Sequence, residues 1–173
     1  MDNPGTEQDT RTPGLARRLG ALLYAASEAV QLVADQALGP FGIGVRHFTL
    51  LTFLTHEAVA EVDPIHKALT GRSPSGATAL SQQAIGEALR IDRTTMVALV
   101  DDLEQLGLVR RERNPADRRA YMIRLTSEGA DLQRRAEEAL NGEAEKFFQP
   151  LSENERVGLR DHLVRLVEHS RAG

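Results

Sequence analysis

Residues 80–129, LSQQAIGEALRIDRTTMVALVDDLEQLGLVRRERNPADRRAYMIRLTSEG, carry the pattern that decides the fold. Ser81 is a good N-cap, and Leu80 before it is placed to staple onto Ile85, so a helix begins there. Ile85 and Leu89 mark its buried face, and Gly86 permits close approach of a second helix. Ile91-Asp92 repeats the start signal, with Asp92 as N-cap and Ile91 positioned over Met96. Met96, Val97, Val100, Leu103 and Leu106 then recur at spacings of three and four residues, which predicts one core-facing side. Gly107 stands where a left-handed residue closes a helix. Residues 108–113 and 119–125 read as two strands, the second alternating through Tyr121, Ile123 and Leu125, around the turn formers Asn114-Pro115-Ala116-Asp117. Helix, turn, helix and hairpin in this order predict a winged helix-turn-helix, a module that lays its second helix in the DNA major groove.

The chemistry at the exposed ends fits that use. Arg93-Thr94-Thr95 form the first turn of the second helix, the end that meets base edges in such modules. Arginine pairs with guanine through two hydrogen bonds, and threonine offers a hydroxyl to phosphate or a methyl to thymine. Ser81, opening the first helix of the pair, joins this expected DNA-contact set. The competing reading of the same turn is an ordinary solvated helix start. In the hairpin, Arg110, Arg111, Arg113, Arg118, Arg119 and Arg124 stand against Glu112 and Asp117, a net charge of +4. Arg118 and Arg119 at its tip suit a narrow minor groove, where the negative potential is deepest; a merely soluble hairpin is the alternative.

Asp117-Arg118-Arg119 leading through Ile123-Arg124-Leu125-Thr126 to Gly129 resembles the D-x-R…(V/I)-x-L-T-x-x-G pattern of the MarR family of bacterial transcriptional regulators. The upstream helix pair is similar to that family's DNA-reading pair, and the likeness extends more weakly to the helices on either side, from about residue 15. The resemblance implies a mainly α fold with a small β wing, in which a winged helix-turn-helix lobe is joined to a helical dimerisation region. It implies an obligate homodimer that binds double-stranded DNA and responds to small anionic, often phenolic, ligands. By the same resemblance Arg93, Thr94 and Thr95 are the major-groove readers and Arg119 the wing-tip residue.

Bulk properties narrow the function further. The chain of 173 residues has no cysteine, which excludes disulfides, an all-cysteine zinc site and thiol-based redox sensing, the device of one branch of that family. No apolar run approaches the roughly 18 residues of a membrane span, and no signal peptide opens the chain, so the expected location is cytoplasmic. No phosphate-binding glycine loop, His-Glu-x-x-His run or Gly-x-Ser-x-Gly elbow is present, so an enzyme is not expected. The formal net charge of −4 does not argue against DNA, because binding responds to the local field of the face presented to phosphate. Glu137, Glu138, Glu143 and Glu145 concentrate acid in a later helix, and Asp101, Asp102 and Glu104 lie beyond the first turn of the recognition helix.

Outside the central module the reading is of helices. Residues 1–11 are polar and aperiodic and read as a disordered tail. The segment 12–56 holds two helices. The first is entered by Thr12 as cap and Pro13 at N1, carries Leu15, Leu19, Leu22, Ala26, Ala29, Val33 and Ala37, and ends at Gly39-Pro40. The second runs from about Val45 to His56 with Phe48, Leu51 and Leu54. Residues 57–79 form a long connecting insertion, 80–125 the winged module, and 126–173 two C-terminal helices. The first of these is capped by Thr126 or Ser127 and reaches roughly Gln149. The second is opened by a Ser152–Glu155 capping box, with Leu159, Leu163 and Leu166 on its buried side. These terminal helices lack a single-subunit core and predict zipping against a second copy. A two-fold dimer would set two recognition helices about 34 Å apart on a palindromic operator; a monomer with a loose helical collar is the alternative.

Other assignments are weaker in their chemistry. The insertion covers a pocket, touches DNA, or is a surface excursion. Arg46 and His47 start the second helix, where family pockets commonly lie, and are the candidate ligand-binding pair for a carboxylate or phenolate. His56, Glu57, Asp63 and His66 match no metal-ligand spacing, so no metal and no cofactor is expected. The rival function is a winged-helix module that binds another protein and ignores DNA.

Overall fold

The computed structural model describes residues 14–59, 80–114 and 121–172. Helix α1 spans Leu15–Leu38 and begins behind Gly14, whose φ of 76° is left-handed and whose missing side chain supplies no cap. The expected entry is a Thr12 cap with Pro13 at N1. Thr12 and Pro13 themselves lie outside the described residues. A 3-10 turn, Gly39–Phe41, and left-handed Gly42 (φ 69°) then swing the chain into α2, Val45–Val59. The central module follows as β1 (Leu80–Ser81), α3 (Gln82–Leu89), α4 (Arg93–Gln105), β2 (Val109–Arg113) and β3 (Tyr121–Leu125). It leads into α5 (Ser127–Phe147) and α6 (Glu153–Ala172).

The three strands form one antiparallel sheet in the order β1-β3-β2. Leu80 pairs with Ile123, while Val109 faces Leu125, Arg111 faces Ile123 and Arg113 faces Tyr121. Strand β1 is new relative to the sequence reading, since two residues carry no period to detect. Side chains alternate across β2 and β3, so Val109, Arg111, Ile123 and Leu125 share one face and Arg110, Glu112 and Arg124 the other.

A single core joins α2, the helix pair, the wing base and α5. Leu38, Leu50, Leu51, Ile85, Met96, Val100, Leu103, Val109 and Ile123 are all fully enclosed, each worth about 1.5–3 kcal/mol on burial. Two of the expected core positions are not in it. Val97 and Leu106 are exposed, and Leu99 is buried instead. A spacing of three and four is satisfied by both sets, and only the direction of the neighbouring elements selects between them. Tyr121 is likewise exposed, at the open end of its strand.

The joint between wing and α5 explains the Thr126–Gly129 spacing. Thr126 caps α5 by accepting the Gly129 N–H at 3.0 Å. Its hydroxyl lies 2.8 Å from the Gly107 carbonyl and 3.0 Å from that of Leu108, whose oxygen also accepts the Thr126 N–H at 3.1 Å. A Cβ at Gly129 would fall 2.0 Å from the Leu108 oxygen, so only glycine fits.

Helix α1 packs along α5, yet from Leu15 to Val33 none of its side chains is buried. Leu22 and Tyr24 are each 66% exposed. In α6 no described side chain is buried, and Leu163 and Leu166 are exposed rather than on a covered side. The α5–α6 corner is held by Arg156, which donates to the Phe148 and Leu151 carbonyls and pairs with Glu145. Glu155 accepts from both the backbone N–H and the hydroxyl of Ser152, one half of the expected capping box. Among the described residues no single helix is long and apolar enough to cross a membrane.

Candidate nucleic-acid interface

The helix pair is assembled by side-chain caps at both starts. Ser81 Oγ accepts the Ala84 N–H at 3.1 Å and Asp92 Oδ1 the Thr95 N–H at 3.0 Å. Between the helices, Arg90 adopts φ 55°, and the Arg90 and Ile91 N–H groups return to the carbonyls of Glu87 and Gly86. Gly86 is buried under this turn, where a Cβ would sit 3.1 Å from the Ile91 oxygen. The turn is thereby closed, and α4 projects its first turn away from the core.

Of the expected readers, Arg93 and Thr94 are exposed and Thr95 is half-buried. The Thr95 hydroxyl donates to Asp92 Oδ2 at 2.6 Å, so its hydrogen is spent on the cap and its methyl is what remains for a base. That hydroxyl, followed by the Thr95 N–H, holds the Asp92 carboxyl below the usual aspartate range. Ser81 is half-buried, its oxygen engaged in capping α3. An open groove runs between the start of α3, the first turn of α4 and the hairpin end of the wing strands. Ser81, Gln82, Gln83, Arg93, Asn114 and Tyr121 all line it. Gln82 and Gln83 were not singled out from sequence, although their place directly after an N-cap puts them at the front of the lobe.

The wing is less free a cation than its composition suggests. Arg111 lies on the inner face of β2 and reaches back to α4, 2.6 Å from Asp101 and 2.6 Å from Glu104. Its own backbone N–H donates to Glu104 at 2.9 Å. That N–H, with the guanidinium, holds the Glu104 carboxyl below its ordinary value against the opposing effect of burial. On the outer face Glu112 sits between Arg110 (2.9 Å) and Arg124 (3.0 Å); on the same face as Arg111, at the far end of the strands, Arg113 lies 5.9 Å over the Tyr121 ring. Four of the six hairpin arginines are thus engaged within the wing or with α4. Asp101 and Glu104 of the later part of α4 anchor Arg111, and Glu112 of β2 anchors Arg110 and Arg124. Arg118 and Arg119, and Asp117 beside them, lie outside the described residues.

Arg46 and His47 do not converge. His47 Nδ1 accepts the Gly44 N–H at 3.2 Å, which leaves the proton on Nε2, 3.4 Å from Asp102 Oδ2. It ties the start of α2 to α4. Arg46 is exposed and lines a notch with Thr49, Leu89, Arg90, Ile91 and Asp92. Among the described residues no three His, Asp or Glu side chains are grouped to hold a metal ion; Asp63 and His66 lie outside them.

A capped helix pair with an exposed first turn, framed by a three-stranded wing, defines a winged helix-turn-helix regulator. The model of the MarR family matches residues 68–120. A protein of Thauera aromatica described as a transcriptional regulator for the hcr operon is 30% identical over 147 residues, 82% of this chain and 89% of that one. A mutant MarR from E. coli complexed with operator DNA superimposes with a TM-score of 0.70 at 18% identity, over 88% of this chain and 96% of that one. CouR from Rhodococcus jostii RHA1 bound to p-coumaroyl-CoA superimposes with a TM-score of 0.66 at 23% identity, over 90% and 96%. The chain belongs to the MarR family and is a DNA-binding transcriptional regulator, not an enzyme.

Proposed function

We propose that the chain acts as a homodimeric repressor that reads a palindromic operator and leaves it when a small anionic or phenolic effector binds. The observation that carries the operator reading is the free first turn of α4. Arg93 stands at the mouth of the groove with no ion pair among the described residues, while other arginines of the lobe are held by carboxylates. In this reading Arg93 and Thr94 meet base edges, the Thr95 methyl packs on a base, Ser81 lies near the backbone, and Arg118 and Arg119 enter the minor groove.

Dimerisation is supported by the apolar side chains that α1 and α6 leave uncovered, since a stripe of this length is stable in water only against a partner. A two-fold axis through those helices sets the two α4 helices about one DNA turn apart. The effector class is supported by the relative bound to p-coumaroyl-CoA. An effector that binds better to a dimer with mis-spaced wings lowers operator affinity by linkage.

The test is titration of the purified chain against labelled DNA from upstream of its own gene, at two salt concentrations, with random DNA as competitor. Binding that resists competitor and weakens with salt is expected. A folded dimer that binds neither this fragment nor any sequence selected from random DNA would overturn the operator reading in favour of a protein-binding module.

A further inference from the structure

We propose that Arg46 and Arg90 form a phosphate clamp that seats the DNA backbone at the edge of the major groove, beside the first turn of α4. The proposal rests on the DNA reading above and gives this lobe a second cationic contact that the wing does not supply.

Three observations converge on it. First, Arg46 from the first turn of α2 and Arg90 from the turn between α3 and α4 line one notch, and Arg90 also lines the main groove beside Arg93. The three arginines therefore border two adjoining depressions that share Arg90. Second, Arg46, Arg90 and Arg93 have no ion pair or side-chain hydrogen bond among the described residues. Within the winged lobe, by contrast, Arg110, Arg111 and Arg124 each face a carboxylate. Third, Arg90 occupies a left-handed backbone position, φ 55°, that a helix end ordinarily gives to glycine or asparagine. A long cationic side chain kept there at a conformational cost points to a use for the charge.

The other groups in the notch leave the arginines as its donors. Thr49 Oγ1 donates its hydrogen to the Val45 carbonyl at 2.9 Å. Asp92 is the one carboxylate present; both its oxygens accept from Thr95, and its charge is offset by the positive end of α4. An anion in this position gains charge-assisted hydrogen bonds from two planar guanidiniums. Phosphate contacts of this kind hold register and orientation and carry no sequence information. The inference also separates Arg46 from His47: Arg46 faces the nucleic acid, while His47 is a link within the protein.

The experiment uses the full chain with Arg46→Gln, Arg90→Gln and the double variant, each also made as lysine. Affinity is measured by fluorescence anisotropy across a salt series. The probes are a labelled random-sequence duplex and a duplex selected from random DNA by the wild-type protein. The expected result is that the glutamine variants lose affinity equally on both probes. The salt slope should fall by about 0.9 for each phosphate no longer neutralised, and lysine should restore it. Both side chains are exposed, and circular dichroism confirms that each variant is folded. An unchanged slope, a loss confined to the selected duplex, or failure of lysine to restore it would overturn the clamp. Failure of the wild-type chain to bind either duplex would instead overturn the DNA reading and the clamp with it.

Discussion

Replacing Gly129 with alanine sets helix propensity against packing, and the two predict opposite signs. Position 129 lies in the first turn of α5, where alanine is favoured over glycine by about 1 kcal/mol in a free helix. The added Cβ, however, falls 2.0 Å from the Leu108 oxygen and 2.9 Å from both its carbonyl carbon and Leu125 Cδ1. Ordinary carbon–oxygen contacts sit near 3.3 Å, so α5 must withdraw by about 1.3 Å. The oxygen it withdraws from accepts both the N–H and the hydroxyl of Thr126, at 3.1 and 3.0 Å. Neither bond survives such a shift. Whether the strain is kept or relieved by breaking them, the cost is about 2–3 kcal/mol. After the propensity gain, a net loss of about 1–2 kcal/mol is expected, a fall in Tm of roughly 2–8 °C for a chain of this size. The assay is thermal unfolding at one fixed protomer concentration, because dimerisation makes Tm depend on it. Gly142→Ala in the same helix, with no atom within 4 Å of the new Cβ, is the control and should raise stability by up to about 1 kcal/mol. A Gly129→Ala protein as stable as the wild type would refute the packing argument.

The interface and the dimer give further tests. Arg93→Ala should relax base preference at about 1–3 kcal/mol for each base edge it no longer reads; equal loss on selected and random DNA would remove Arg93 from the reader set. Leu22→Glu places a charge in the uncovered stripe of α1 and should yield a monomer by light scattering, with operator binding lost; an intact dimer would locate the interface elsewhere. The Glu104–Arg111 clasp should weaken in acid. Glu104 is held below its ordinary value of 4.5, so the folded state binds its proton less readily than the unfolded chain. The contribution is complete above that value and is lost as pH falls through the depressed one. The stability gap between wild type and Glu104→Gln should therefore be constant near neutrality and shrink below about pH 4.5. A gap that does not change with pH would mean the carboxylate charge plays no part.

Local chemistry made the winged module legible. Caps at Ser81, Asp92 and Thr126, a left-handed glycine at 107 and a period-two strand through Ile123 are decided within a few residues of chain, so they can be read from one dimension. What those signals cannot carry is direction. Val97 and Leu99 satisfy helical spacing equally well, and only the placement of α2 and the wing buries Leu99 and leaves Val97 facing the groove. The same limit applies to charge. Counting arginines made the whole hairpin a basic surface, but cross-strand register turns Arg111 inward onto Asp101 and Glu104 and closes Glu112 between Arg110 and Arg124. His47 and Arg46 are neighbours in sequence with adjacent chemistry, yet a helix rotates successive residues by about 100°, which sends one to Asp102 and the other to the notch with Arg90. The elements, their order and the family thus follow from signals local to the chain. Which side chains remain free to meet DNA follows only from the folded arrangement, because an ion pair forms where separate elements bring two charges within about 4 Å.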